Sequence, residues 1–238
     1  MPKHGKRFRA ATEALDRAKR HGLAEAVEAL LSLPAAKFDE TVELHVRTGV
    51  DPTNQDQQVR GIVTLPHGTG KELRVIVFAA GDAAQEARDA GALEVGGDDL
   101  AVRIRGGWLD FDAAVATPEN MRIIGPLGRI LGPRGLMPNA RAGTVTDDVG
   151  RVVRELLAGR VEFRLDRLAN IHVAVGKLGM GRDRILNNVG TVLDAIVRAR
   201  PDGMRANFIE AITLASTMSP GISLDPVGAQ QEATQLAA

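Results

Sequence analysis

Cysteine is absent from the 238-residue chain, which rules out disulfides, iron–sulfur clusters, thiolate zinc sites and a cysteine nucleophile. Long apolar runs are missing as well. None approaches the roughly 20 residues a bilayer-spanning helix needs, so no membrane segment is expected. The basic opening "MPKHGKRFR" leads into no apolar stretch, and no secretory leader is expected. A cytoplasmic location is the simplest expectation. Net charge is lacking too, with 30 Lys and Arg against 30 Asp and Glu. Taken alone, that balance argues against a nucleic-acid partner. What the chain does have is core material: 44% of it is hydrophobic, and its length allows one large domain or two small ones.

The charge is segregated along the chain. Met1 to His21 carries seven basic residues against two acids, and Glu72 to Pro118 carries four against nine. Asn120 to Thr146 has four arginines and no acid, and no basic residue follows Arg205. Such blocks create local positive faces on a neutral molecule, and a phosphate backbone responds to local field. Ordinary surface scatter is the competing explanation.

Hydrophobic spacing organises the chain into two textures. Phe8, Ala11, Leu15 and Ala18 recur at helical spacing, as do Leu23, Val27, Leu30 and Leu31, with Pro34 ending the second helix. "KFDETVELHVR" then alternates as a half-buried strand: Phe38, Val42, Leu44 and Val46 share one face, and Glu40 breaks the alternation. A second strand is expected around "VRGIVTLP". From "LPHGTGK" onward the texture changes. "LRVIVFA" reads as a strand buried on both faces, a short helix follows near Ala83 to Ala90, and "DFDAAVAT" reads as another strand. A helix is expected near Asp148 to Leu157. Period-two alternation returns in "RVEFRLD" and "NIHVAV". A long amphipathic helix runs through Ile185, Val189, Val192 and Ile196, and a last strand lies in "NFIEAITLASTM". The tail "VGAQQEATQLAA" lacks apolar periodicity and is expected to be flexible from about residue 227. The predicted architecture is a discontinuous antiparallel α+β domain from residues 1–67 and 160–238, interrupted by an α/β domain over 68–159.

Chemistry for catalysis is hard to find. "GPLGRILGPRGLMPNARAGT", residues 125–144, holds five glycines, three prolines and three arginines, and reads as a long loop. It has neither the GxxxxGK[ST] of a phosphate-binding NTPase nor the GxGxxG of a dinucleotide site. Its prolines remove N–H donors that a phosphate cradle uses. Lys71 in "GTGK" is followed by Glu rather than Ser or Thr. None of the five histidines pairs with another at metal-ligand spacing, so no metal is expected. His45 and His172, on polar strand faces, read as solvated. No nucleophile elbow occurs. The expectation is a protein that is not an enzyme and needs no cofactor.

Binding to RNA remains, which requires Lys or Arg for phosphate, hydroxyls or Glu for ribose, and an apolar group for a base or sugar. Lys37, Thr41, Glu43, Ser216 and Thr217 supply the polar part. Phe38 and Met218 sit at strand ends, where an apolar side chain can leave the core; by period alone, Phe38 reads more readily as an ordinary core residue.

"AKFDETVELHV", "VRGIVTLPHGTGK", "DFDAAVATPENM", "LGRILGPRGLMPN", "AGTV", "GRVEFRLD", "IHVAVGK" and "STMSPGISLDP", in this order, closely resemble the ribosomal protein L-one family of bacterial type. The resemblance runs from about His4 to Pro226. It implies a discontinuous first domain that carries the main rRNA contact and an inserted, Rossmann-like three-layer α/β domain without a cofactor. Carried over, the contact falls on Lys37, Phe38, Thr41 and Glu43 and on Thr217, Met218 and Ser219, with Arg164, His172 and Lys177 as accessory contacts. Arg129, Arg134 and Arg141 become secondary backbone contacts. The implied partners are large-subunit rRNA in the mobile stalk, exit-site tRNA, and the protein's own mRNA as a repression target; no membrane is implied, and the protein is a monomer within the ribosome. The chain departs from the family pattern at Ser219, where glycine is usual, at Pro126, where Lys is common, and in "NARAGT" for "NPKAGT". "RLANIH" replaces a turn that contains glycine.

Overall fold

The computed structural model describes residues 5–16, 18–201 and 208–236. His4 and Asn207, where the family resemblance and the last strand were expected to begin, lie outside them. The chain forms two compact units, residues 1–71 with 161–238 and residues 72–160.

Unit 1 opens with α1 (Lys6–Ala14) and α2 (Leu23–Ser32), then β1 (Thr41–Thr48) and β2 (Arg60–Thr64). It resumes with β6 (Arg160–Arg164), β7 (Asn170–Lys177), α8 (Arg182–Arg198), β8 (Ile209–Ser216), β9 (Ile222–Leu224) and α9 (Pro226–Leu236). The main sheet has the order β7-β1-β8-β9 and is antiparallel; β2 and β6 form a separate pair. Alternation puts Val42, Leu44 and Val46 of β1 on the inner face with Ile171, Val173 and Val175 of β7. Against them pack Leu23, Val27 and Leu30 of α2 and the stripe Ile185, Val189, Val192 and Ile196 of α8, all buried. Each such side chain contributes roughly 1.5–3 kcal/mol relative to exposure.

β1 starts at Thr41, so Lys37 and Phe38 precede the strand rather than opening it. The expectation of a flexible tail also fails. Residues 226–236 form α9, with Ala229 and Ala233 fully buried. A stripe of alanines carries little hydrophobic periodicity, yet it lets helices approach closely. On α8, a Cβ at Gly190 would meet Leu236 atoms at 3.1 Å. Glu232 of α9 accepts from the Leu23 backbone N–H at 3.1 Å, capping α2, whose own N-cap Gly22 has no side chain to do so.

Unit 2 holds a parallel sheet of order β4-β3-β5, built from β3 (Val75–Phe78), β4 (Glu94–Gly96) and β5 (Ala113–Ala116). Its helices are α3 (Gly81–Asp89), α4 (Asp98–Arg105), α5 (Met121–Ile124), α6 (Gly128–Leu131) and α7 (Val149–Leu157). Alternate residues of β3 feed two cores. Ile76 and Phe78 pack with Leu100, Ile104, Leu127 and Leu131, while Val75 and Val77 pack with Val149, Val152 and Val153. These are the three layers of a Rossmann-like unit.

The segment read as a long loop is largely helical. Three 3-10 turns, Pro118–Asn120, Gly125–Leu127 and Gly132–Arg134, alternate with α5 and α6 until Gly135, at φ 71°, ends the run. Pro118, Pro126 and Pro133 stand in the first two positions of their turns. There a missing N–H breaks no helical hydrogen bond, so these residues start turns instead of breaking them. Ile124, Leu127 and Leu131 are buried along the run.

Candidate nucleic-acid interface

The outer positions of the unit 1 sheet are polar or small. β1 presents Thr41, Glu43, His45 and Arg47, flanked by His172 and Ala174 of β7 and by Ala211, Thr213 and Ala215 of β8. At one end of this face the start of β1, the end of β8 and the end of β7 converge, because Val42 pairs with Ser216 and Thr41 with Lys177.

Backbone and hydroxyl bonds lock that convergence. Thr217 N–H donates to the Thr41 carbonyl and Thr41 N–H donates to Thr217 Oγ1, each at 3.0 Å. Lys177 Nζ donates to Thr41 Oγ1 at 2.8 Å and to the Asp39 carbonyl at 3.3 Å. The Asp39 carboxylate accepts from Gly179 N–H at 2.9 Å. Phe38 and Met218 flank the junction and are 55% and 49% exposed, so Phe38 is not a core residue. Two exposed apolar side chains stand beside hydroxyls and amines, the composition that packs against sugar and base while satisfying phosphate and 2′-OH. Lys37 is exposed and makes no ion pair among the described residues.

Beneath the junction lies Glu40, 1% exposed. Its Oε1 accepts from Ala36 N–H at 2.6 Å and from Arg7 Nη1 at 3.1 Å. Its Oε2 accepts from the Ser216 hydroxyl at 2.5 Å and from Met218 N–H at 2.9 Å. Burial pushes this carboxyl upward, but the bonds from Ser216, Ala36, Met218 and Arg7 outweigh burial and hold it below the ordinary glutamate value. The position was visible in the sequence only as the polar residue that broke the alternation.

Ser216 is buried and committed to Glu40. Ser219 is half-buried; its hydroxyl accepts from Ser216 N–H at 2.8 Å and donates to the Pro220 carbonyl at 3.0 Å, bracing the turn. The structure thus gathers Phe38, Thr41, Lys177, Ser216, Thr217, Met218 and Ser219 at one sheet end, with Lys37 beside them and Glu43 next along β1. Arg164, exposed on β6, belongs to the other sheet and stands outside this cluster.

Farther along the face, register brings together two histidines that sequence spacing kept apart. His45 and His172 are directly paired across β1 and β7, with their Nδ1 atoms 2.7 Å apart. That contact is attractive only with a proton on one of the two nitrogens. Glu43 lies 3.8 Å from His45 Nε2 and Asp166 lies 3.4 Å from His172 Nε2, so carboxylates stand at both ends of the pair. Burial and the neighbouring His172 lower the pKa of His45, with Glu43 opposing. No cluster of three or more His, Asp or Glu suited to a metal ion occurs among the described residues.

In unit 2, Arg129, Arg134 and Arg141 are exposed, and their guanidinium groups have no ion-pair partner among the described residues. By contrast, Arg103, Arg151 and Arg160 of the same unit are paired to Glu94, Asp148 and Glu155. Arg129, Arg134 and Arg141 lie in α6 and in the 3-10 turns Gly132–Arg134 and Ala140–Ala142 that follow.

A family model described as the Ribosomal protein L1p/L10e family matches residues 30–220. The chain is 50% identical over 238 residues to the large ribosomal subunit protein uL1 of Thermomicrobium roseum, covering 99% of each. Over 227 residues it is 48% identical to uL1 of Thermosipho melanesiensis, covering 95% of this chain and 98% of the relative. It is 49% identical over 228 residues to uL1 of Cutibacterium acnes, covering 96% of this chain and 98% of the relative. Among the described residues, no helix is long and apolar enough to cross a membrane.

Proposed function

The chain belongs to the ribosomal protein L1p/L10e family, and from that premise we propose that it is a non-enzymatic rRNA-binding protein of the large ribosomal subunit. The observation that carries the reading is the end of the unit 1 sheet, where exposed Phe38 and Met218 stand beside Thr41, Thr217 and Lys177. Lys37 and Lys177 contact phosphate. Thr41, Thr217 and Glu43 bond ribose or base, and Phe38 and Met218 pack on sugar or base. Ser216 and Ser219 shape the turn that presents Thr217 and Met218, while Arg164 and His172 are accessory contacts.

In this reading the protein forms the mobile stalk beside the tRNA exit site, assists departure of deacylated tRNA and acts in the cytoplasm as one copy per ribosome. The same surface binds the protein's own mRNA and represses its translation. Arg129, Arg134 and Arg141 make secondary contacts with RNA backbone.

Gel-shift titration against an in vitro transcript of the stalk rRNA tests the site. Thr217→Ala removes one hydrogen bond to RNA, worth roughly 1–3 kcal/mol when the bond is buried or charge-assisted; at about 1.4 kcal/mol per decade that is roughly 5- to 150-fold in Kd. Met218→Asp adds a charge that repels phosphate and should cost at least as much. Unchanged affinity in both variants overturns the assignment. Calorimetric binding of NAD, ATP or GTP, with no RNA affinity, overturns the function.

A further inference from the structure

Glu40 is the most buried acid among the described residues of unit 1, and nothing in the RNA-binding reading above uses it. Its two oxygens serve different segments. Oε1 holds Ala36 of the 36–40 segment and Arg7 of α1; Oε2 holds Ser216 and Met218 of the turn after β8. One segment carries Lys37 and Phe38 and the other carries Thr217 and Met218. A single carboxylate therefore spans the two halves of the candidate grip. We propose that Glu40 is the positioning residue of the RNA-binding site, setting the spacing between the Lys37–Phe38 and Thr217–Met218 segments without touching RNA. The proposal rests on the RNA-binding reading of that site.

The donor set explains why the group must be a carboxylate. Two backbone N–H groups, a hydroxyl and a guanidinium converge on it, and the N–H and guanidinium groups can only donate. Glutamine offers one acceptor oxygen and one NH2, so it can serve one segment but turns a donor toward the donors of the other. A buried N–H left unpaired in this way is costly, and the segment carrying it moves away. Arg7 balances the charge of the buried anion.

Glu40→Gln yields a result whose sign separates positioning from simple electrostatics. RNA is a polyanion, so removing a negative charge strengthens or preserves binding if charge alone matters. Positioning predicts the reverse. Gel-shift titration against the stalk-rRNA transcript, at a temperature where circular dichroism shows each variant fully folded, should find Glu40→Gln at least tenfold weaker than the natural protein. In a Met218→Ala background the same change should cost threefold or less, because Glu40 acts through the turn that Met218 occupies. Where Glu40→Gln fails to fold, Ser216→Ala removes one donor to Oε2 without a charge change. It should show a smaller loss with the same coupling to Met218. Two results overturn the proposal: Glu40→Gln or Ser216→Ala binding as tightly as the natural protein while Met218→Asp binds weakly, or equal losses in both backgrounds. If Met218→Asp and Thr217→Ala also bind normally, the RNA-binding reading of the site falls and the positioning role falls with it.

Discussion

Unit 1 covers one face of its main sheet and leaves the other open, whereas unit 2 covers both faces of its sheet. The contrast follows from strand direction and composition. β1 and β7 alternate apolar and polar residues within an antiparallel sheet, so one face needs no partner layer. β3 is Val-Ile-Val-Phe in a parallel sheet, and all four side chains are buried. The main candidate contact residues of unit 1 therefore stand on the open sheet face, as Thr41 and Glu43 do, or in the segments at its end. In unit 2 the candidate contacts Arg129, Arg134 and Arg141 lie in short helical turns at the rim. The residues after β5 form short helical turns whose Ile124, Leu127 and Leu131 fill the core on one side of the unit 2 sheet.

The largest way to break this contrast is in the doubly covered core. Phe78→Ala in β3 removes a fully buried ring from the core that also holds Leu100, Ile104 and Leu131, a change that typically costs about 3–5 kcal/mol. Amide exchange should rise across β3, β4 and β5 and change far less in β1, β7 and β8. Equal acceleration in both units would show that the two cores are one cooperative system.

A smaller effect separates the acids of the two units. The folded-state pKa of Glu40 lies below its ordinary value, so its stabilisation is fully present above about pH 4.3, the unperturbed glutamate pKa, and is lost as pH falls through the lower folded value. Asp99 and Asp148 of unit 2 are lowered chiefly by hydrogen bonds from Gly97 N–H and from the Arg151 side chain, at exposed helix starts where solvent screens the effect. Urea midpoints at pH 6 and pH 3 should therefore differ less in Glu40→Gln than in the natural protein. Asp99→Asn should leave the difference nearly intact.

The arginines of the rim test how far the RNA reading extends to unit 2. Replacing Arg129, Arg134 and Arg141 together with Gln should weaken binding to the stalk-rRNA transcript less than Met218→Asp does. The slope of log K against log salt should become shallower by roughly 0.7–0.9 for each phosphate contact removed. An unchanged slope removes these residues from the interface.

Period-two and helical spacing made β1, β7, α2 and α8 readable in the sequence, because each buries one face and the pattern records it, while β8 alternates less cleanly. Elements held by other forces were missed. α9 depends on close packing against α8 and on Glu232 capping α2, the latter a contact made across nearly the whole chain. The helical run after β5 was hidden by proline and glycine, which are breakers only when their place within a turn is ignored. At the candidate site, Phe38 and Met218 were legible as apolar residues at strand ends. The roles of Glu40 and of the His45–His172 pair depend on register between strands more than a hundred residues apart, and no local pattern encodes that.

The smallest expected effect concerns a departure from the family pattern at the other end of β7. Ala169, in "RLANIH", has φ 62°, the left-handed region that favours glycine. Its carbonyl accepts from both Thr48 N–H and Thr48 Oγ1, at 2.9 and 2.8 Å, and Asp166 Oδ1 accepts from Leu168 and Asn170 N–H, so the turn is held against the strain. A left-handed non-glycine residue costs roughly 1–2 kcal/mol, while glycine loses about 0.5–1 kcal/mol more than alanine in chain entropy on folding. Ala169 is also buried in the unit 1 core, where its methyl contributes roughly 0.8 kcal/mol, so Ala169→Gly should change stability by less than about 1 kcal/mol, read as a small shift in urea midpoint. β7 runs from Asn170 to Lys177, a length of roughly 25 Å at about 3.3 Å per residue, which separates this turn from the proposed RNA-binding end. RNA affinity should stay unchanged. A folded variant with altered affinity would show that the open face of the sheet acts as one surface from end to end, and the grip would then have to be extended along β7 past His172 to Asn170.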